Sequence, residues 1–197
     1  MLGSAASWFL FALSFSLLVH VSTLVMSIGG SCASGGPYVI AVECPEGVAA
    51  FAPLSIFGGL FAVAISLFLA QGFGTPLTTW AWPILFCGLG AAFLMAFFLA
   101  GDTIGLVIGV MFELMGVAPL IIELRGSPQR VFLGQRAANG AQFYEGERAK
   151  RSLMSMGAVN PEGAIQPTAP HWILALAITF GFGYLGYVVA GLWFGSL

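Results

Sequence analysis

The chain has 197 residues, of which 59% are hydrophobic and only 7% are charged, and its net charge is -2. A soluble domain covers its surface with roughly 25% charged residues, so this composition excludes a protein whose main solvent is water. Because lipid offers backbone groups no water to bond, the chain must cross the membrane as helices or as a closed barrel, and its long apolar runs favour helices.

Apolar windows of about 20 residues, the length that a spanning helix needs, occur five times along the chain. They therefore predict an all-α, polytopic membrane helix bundle with about five transmembrane helices. The predicted parts are a four-helix membrane portion over residues 1–124 with a cysteine-bearing loop over 29–49, a basic loop over 125–171, and the fifth transmembrane helix over 172–197. The windows run from Ala6 to Ile28, Ala50 to Ala70, Ala81 to Ala100, Ile104 to Leu124 and Trp172 to Phe194.

The basic residues of the chain are confined to one predicted loop, between the fourth and fifth helices. Lys and Arg in short loops mark the cytoplasmic side, so this loop is expected in the cytoplasm. Counting back through four spans places the N-terminus in the cytoplasm and the C-terminus outside it, in a multi-pass protein of the plasma (inner) membrane. The six basic residues are Arg125, Arg130, Arg136, Arg148, Lys150 and Arg151.

Two cysteines in the loop after the first helix provide a second indication of orientation. Cys32 and Cys44 fall on the predicted outer side, where disulfides persist, and a bridge between them would stabilise the protein by roughly 3 kcal/mol. A zinc site would need four ligands, and this loop contains neither a histidine nor a third cysteine. The pair is therefore predicted to form a disulfide and not a metal site.

Small residues recur every fourth position on three consecutive predicted helices. Such stripes allow helices to approach closely in lipid, where hydrophobic exclusion contributes little. They predict either a compact bundle or a surface for the helices of another protein, although Gly and Ala are common in any apolar helix. The stripes consist of Gly58, Ala62 and Ser66, then Gly88, Ala92 and Ala96, then Gly101, Gly105 and Gly109.

Glu113 continues the third stripe to the centre of the fourth predicted span. A carboxylate there costs at least about 2.5 kcal/mol, so we expect it to face the bundle or a partner subunit. His20 lies at a similar depth on the first helix, and the two side chains could meet. They predict either a proton or ion relay or ligand contact, or a single interhelical hydrogen bond of about 0.6 to 2 kcal/mol.

The basic loop also carries aromatic and aliphatic residues, among them Phe132, Phe143 and Tyr144. This mixture predicts either a segment that binds anionic headgroups or a partner, at about 1 kcal/mol per nearby basic residue, or charges that only set the topology. Glu145 and Glu147 interrupt the basic cluster and no base-reading motif is present, which argues against nucleic acid.

Motifs for chemistry are absent from the sequence. It contains no nucleophile motif, phosphate-binding loop, zinc signature or paired-histidine haem arrangement. The sequence therefore predicts a protein that is not an enzyme and that uses no cofactor and no metal.

The stretch GGSCASGGPY at residues 29–38, followed by ECPEG at 43–47 and a long apolar run, resembles that of small uncharacterised multispan membrane proteins from actinobacteria. The resemblance covers about the first third of the chain. Some proteins of this kind are accessory subunits of envelope complexes, including lipid-import machines and respiratory supercomplexes, and the resemblance implies such a role here.

These observations support three functional hypotheses. The first is an accessory or assembly subunit of a larger integral membrane complex, of the lipid-import or respiratory type, that packs through its small-residue stripes. The second is a small transporter or channel that uses Glu113 with His20. The third is a lipid-binding membrane protein, suggested by the basic loop and the phenylalanine-rich spans.

Overall fold

A computed structural model describes residues 1–29, 32, 42–69, 74–101, 103–124, 128–133, 135–137, 158–160 and 168–195. In these ranges the chain forms helices and one pair of short strands. In chain order they are α1 (Leu2–Ser27), α2 (Val48–Leu69), α3 (Leu77–Ala100), α4 (Thr103–Leu124), α5 (Pro128–Leu133), β1 (Gln135–Ala137), β2 (Ala158–Asn160) and α6 (Ala169–Phe194).

Five of the helices, α1, α2, α3, α4 and α6, are long and apolar enough to cross a membrane. The prediction of a polytopic helical bundle with about five spans is therefore confirmed. The fifth span begins at Ala169, three residues earlier than predicted, because Thr168 and His171 form a reciprocal capping box, in which the Thr168 backbone N–H donates to Nδ1 of His171 over 3.3 Å.

Helix α1 is the centre of the bundle and packs along both α2 and α6, with a shorter contact to α3, while α3 packs along α4. Gly186 of α6 lies against Phe9 and Leu13 of α1, and Phe194 stacks on His20. Residue numbers rise together along this contact, so α1 and α6 run parallel. Successive spans alternate in direction, so parallel first and last helices agree with an odd number of crossings.

The small residues on α2 and α3 lie at close contacts with α1. Gly58 of α2 meets Ser14, while Ala62 and Ser66 are buried. On α3, Gly88 faces the ring of Phe15. Ala92 and Ala96, farther along the predicted stripe, are half-buried.

The stripe on α4 faces α3 but starts later than predicted. Gly105 and Gly109 are buried, and Gly109 packs against Leu94. Gly101 instead ends α3 in the left-handed conformation, with φ of 72°, and has no neighbour against which a side chain would pack. The predicted stripe therefore included a residue that precedes α4. At the C-terminal end of α3 a glycine is favoured because it adopts a positive φ, and close packing is not the reason for it.

The segment between the fourth and fifth spans, predicted as a basic loop, contains one short helix and two short strands. Helix α5 precedes β1, and β1 pairs in parallel with β2, so that Gln135 lies opposite Ala158 and Ala137 opposite Asn160. Of the six predicted contact residues, Arg130 lies in α5 and Arg136 in β1. The other four, Arg125, Arg148, Lys150 and Arg151, lie outside the described residues.

Candidate functional site

A cleft of about 770 Å³ opens between α1, α3 and α6. Both α3 and α6 pack against α1, and the space that separates α3 from α6 forms the cleft. Its volume falls within the roughly 300–1,000 Å³ of small-molecule sites, and apolar lining is typical of such sites. Most of the lining is aromatic or aliphatic, and its aromatic members are Trp8, Phe11, Phe15, Trp80, Phe132, Phe180, Tyr184 and Tyr187.

Tryptophan hydrogen bonds position α1 and α5 around α3. The indole of Trp8 on α1 donates to the backbone oxygen of Thr75, just before α3, over 2.8 Å. The indole of Trp80 on α3 donates to the backbone oxygen of Val131 on α5 over 2.9 Å. Each indole thus places an apolar ring in the cleft while its N–H is satisfied.

Helix α5 closes one end of the cleft by bridging α3 and α6. The ring of Phe132 lies 5.5 Å from that of Trp80 and 6.3 Å from that of Trp172. Leu133 packs against Ala175 of α6 and is only 1% exposed. A six-residue helix has little stability of its own, so these contacts hold α5 in place.

Two buried hydroxyl groups line the cleft without a hydrogen-bond partner. Thr75 and Thr179 are 4% and 7% exposed, and neither side-chain oxygen has a partner. In the part of the chain that the structure describes, one other buried side-chain oxygen is unpartnered, that of Ser4, which lies against Gly74 and outside the cleft. An unsatisfied buried hydroxyl costs about 1–3 kcal/mol, so an acceptor within the cleft would stabilise the protein at both positions.

The two unpartnered hydroxyls lie towards one end of the cleft. Thr75 is level with Trp8, to which its carbonyl is bonded, and Thr179 lies about two turns before Gly186, towards α5. From Trp8 to Val19 the lining of α1 extends about 16 Å along the helix axis. Both unpartnered hydroxyls therefore lie near α5, and the walls beyond them are mainly apolar.

Glu113 lies at the interface between α3 and α4, away from the cleft lining. Gly90 opposite leaves room for it, since a Cβ there would lie 3.0 Å from Cγ of Glu113. The Cys87 thiol lies beside the Glu113 carboxyl group, and Gly116 leaves room for that sulfur. The half-buried carboxyl group thus has a partner on the neighbouring helix.

His20 lies at a different interface, between α1 and α6. Its ring stacks on that of Phe194, with 5.0 Å between ring centroids, and Phe194 also contacts Phe51 of α2. The structure therefore does not bring His20 and Glu113 together. The two predicted intramembrane residues occupy separate interfaces.

The predicted disulfide is present between Cys32 and Cys44, whose Cα atoms are 4.9 Å apart. It joins the segment after α1 to the segment before α2, at the end of the bundle opposite α5. Among the described residues, no group of three or more His, Cys, Asp or Glu side chains is arranged to hold a metal ion.

The sequence did not predict the cleft, because its threonine and tryptophan residues have common structural roles that do not require a ligand. Threonine before a helix reads as a turn residue, and tryptophan near a span end as an interfacial anchor. No protein-family model, curated protein or solved structure matches the chain.

Proposed function

We propose that this protein binds a membrane lipid in the cleft between α1, α3 and α6. The observation that carries the proposal is an apolar cleft of about 770 Å³ among helices apolar enough to span a membrane. In such surroundings the most abundant apolar ligands are the lipids themselves.

The cleft is open along α6, which would allow a lipid to enter from the side, within the bilayer. Phe180, Tyr184 and Tyr187 of α6 line the cleft and are exposed, Phe180 to 71%. This opening runs along the side of the cleft, while α5 bridges one end of the cleft through Trp80 and Trp172. A ligand that is already dissolved in the bilayer would reach the cleft without crossing water.

The first hypothesis, an accessory subunit of a larger membrane complex, receives less support from the packing. It was motivated by small-residue stripes, and several of these contacts are made within the chain, as Gly58 with Ser14 and Gly109 with Leu94 illustrate. It remains a prediction that mild detergent extraction and a size measurement would test. A functional monomer without a copurifying protein would contradict it.

The transporter hypothesis rested on a meeting of Glu113 with His20, and their separate partners, Cys87 and Phe194, remove its geometric basis. The cleft favours lipid binding instead.

Two glycines of α6 offer a matched test of the cleft. Gly183 lines the cleft and Gly181 does not, and at both a new Cβ would meet nothing within 4 Å. A phenylalanine at Gly183 would project into the cleft, while one at Gly181 would add similar apolar area elsewhere. We expect Gly183→Phe to lose the lipid that wild type retains after delipidating detergent washes, and Gly181→Phe to keep it, as measured by native mass spectrometry.

Photocrosslinking identifies the occupant. With p-benzoylphenylalanine in place of Phe180, at the cleft mouth, we expect a lipid adduct in washed protein. A crosslink to another segment of this chain or to a second copy would mean that protein fills the cleft. That result, or equal lipid retention by Gly183→Phe and Gly181→Phe, would overturn the proposal.

A further inference from the structure

The two unpartnered hydroxyls indicate the class of lipid, an inference that rests on the proposed function. We infer that Thr75 and Thr179 donate hydrogen bonds to the two ester carbonyls of a diacyl glycerophospholipid, whose acyl chains extend along α1 towards Val19. Both hydroxyls line the cleft, and both side chains are more than nine-tenths buried.

Thr179 departs from the usual behaviour of threonine in a helix. A helical threonine commonly donates to a carbonyl three or four residues earlier, as Thr23 of α1 does to Val19 and His20 over 2.9 Å. The Thr179 hydroxyl has no such partner, although it is far more buried than that of Thr23. A group within the cleft would satisfy it.

Thr75 presents the same requirement from the opposite wall. Its backbone oxygen already accepts from Trp8, so the residue is fixed, while its side-chain hydroxyl has no partner. The other strong side-chain donors at this end, the indoles of Trp8 and Trp80, are already bonded to backbone carbonyls. Two hydroxyl hydrogens therefore need acceptors from the ligand.

Ester carbonyls fit this requirement better than groups that carry hydrogens of their own. A ligand hydroxyl or amide would bring further donors into an apolar cleft, and each buried donor needs its own acceptor. An ester carbonyl accepts and brings no hydrogen. A diacyl glycerophospholipid has two of them side by side, at the junction between its headgroup and its chains.

The position of the hydroxyls gives the lipid its direction. They lie at the end of the cleft bridged by α5, and walls that are mainly apolar, with Ser16 as the polar residue on α1, continue from Trp8 to Val19, away from α5. Acyl chains match those walls. The headgroup would lie towards α5, the side from which the basic segment of the chain continues.

A pair of phospholipids that differ only in their carbonyls tests this inference. Diphytanoyl phosphatidylcholine has two ester carbonyls, and diphytanyl phosphatidylcholine has ether links in their place. Titrated into delipidated protein and measured by native mass spectrometry, wild type should prefer the ester lipid by about tenfold, the effect of two net hydrogen bonds. Thr75→Val and Thr179→Val should each reduce the preference to about threefold, and the double variant should lose it.

Thr23→Val serves as the matched control, because Thr23 is helical and lies outside the cleft, and it should keep the full preference. Equal binding of the two lipids by wild type would overturn the inference without using any variant, and so would a preference that survives in the double variant. Either result would leave the proposed function intact. Failure of wild type to bind either lipid, with no lipid lost in Gly183→Phe, would instead overturn the proposed function.

Discussion

Glu113 lies on the face of α4 that the sequence predicts, but its neighbour on the adjacent helix was not predicted. The stripe of small residues placed it on the face of α4 that packs in the bundle, and it lies against α3. The side chain beside it on α3 is the thiol of Cys87. Gly90 and Gly116 provide the space for the two side chains, so the pair is built from both helices.

If the role of Glu113 is to join α3 to α4, its charge should be dispensable. In Glu113→Gln the amide oxygen can accept from the Cys87 thiol, and the side chain keeps its size. We expect an unchanged melting temperature in detergent and unchanged lipid retention, since Glu113 does not line the cleft. Thermal scans and native mass spectrometry measure both.

Loss of a bound ion or of transport in Glu113→Gln, at unchanged melting temperature, would contradict this expectation. That outcome would support the transporter hypothesis. A lowered melting temperature alone would mean that the carboxyl group contributes more to helix packing than an amide can.

At the scale of elements, the contact between α1 and α6 depends on Gly186. A Cβ at this position would lie 2.9 Å from the Leu13 backbone nitrogen and still closer to the Phe9 carbonyl oxygen, so the backbones would have to separate. Gly191, on the same helix, has open space around its Cα. The two positions therefore lie in one helix, α6, and differ in packing.

We expect Gly186→Ala to destabilise the folded protein by about 1–3 kcal/mol, the usual effect of overpacking. Gly191→Ala should be neutral or stabilising, because alanine favours a helix more than glycine does. Unfolding in mixed detergent, followed by circular dichroism, compares the two. Equal stabilities would show that α1 and α6 are not closely packed at Gly186.

The positions of the membrane-spanning helices in the sequence were predictable, because the bilayer determines their length. Which helices pack against each other was not predictable. Hydropathy locates spans because a hydrocarbon core of about 30 Å requires a fixed length of apolar helix. These helices are apolar on almost every face, so periodicity does not distinguish the face of α6 that meets α1 from the face that meets lipid. The contact at Gly186 and the cleft beside it were missed for this reason.

Short elements and isolated polar residues were also beyond prediction. Strands β1 and β2 have three residues each, too few for an alternating pattern. Thr75 and Thr179 become informative only when their missing hydrogen bonds are known. The disulfide, in contrast, was predictable, because Cys32 and Cys44 lie in one short loop between two spans.

At the scale of the whole molecule, the two ends of the bundle differ. The Cys32–Cys44 bridge lies beyond the C-terminal end of α1, while α5 lies near its N-terminal end, beside Trp80. Which end faces the cytoplasm is a prediction from the basic residues. It also determines the leaflet from which a lipid headgroup would reach α5.

Cysteine labelling in intact cells tests this orientation. After treatment with a membrane-impermeant reductant, Cys32 and Cys44 should react with an impermeant maleimide, because their loop is predicted to lie outside. In a chain with both replaced by serine, a Ser152→Cys substitution in the basic loop should react only after permeabilisation. The opposite labelling pattern would invert the topology and place α5 at the outer leaflet.

The parallel contact between α1 and α6 also bears on how the protein is made. Leu13 and Gly186 are separated by most of the chain, so during synthesis α1 enters the membrane long before its last neighbour exists. Until then the surface that α6 will cover, with Phe9, Leu13 and Leu17, is open to the bilayer. The nascent chain would therefore meet lipid along this surface first, and arrival of the final helix would displace that lipid and complete the wall of the neighbouring cleft.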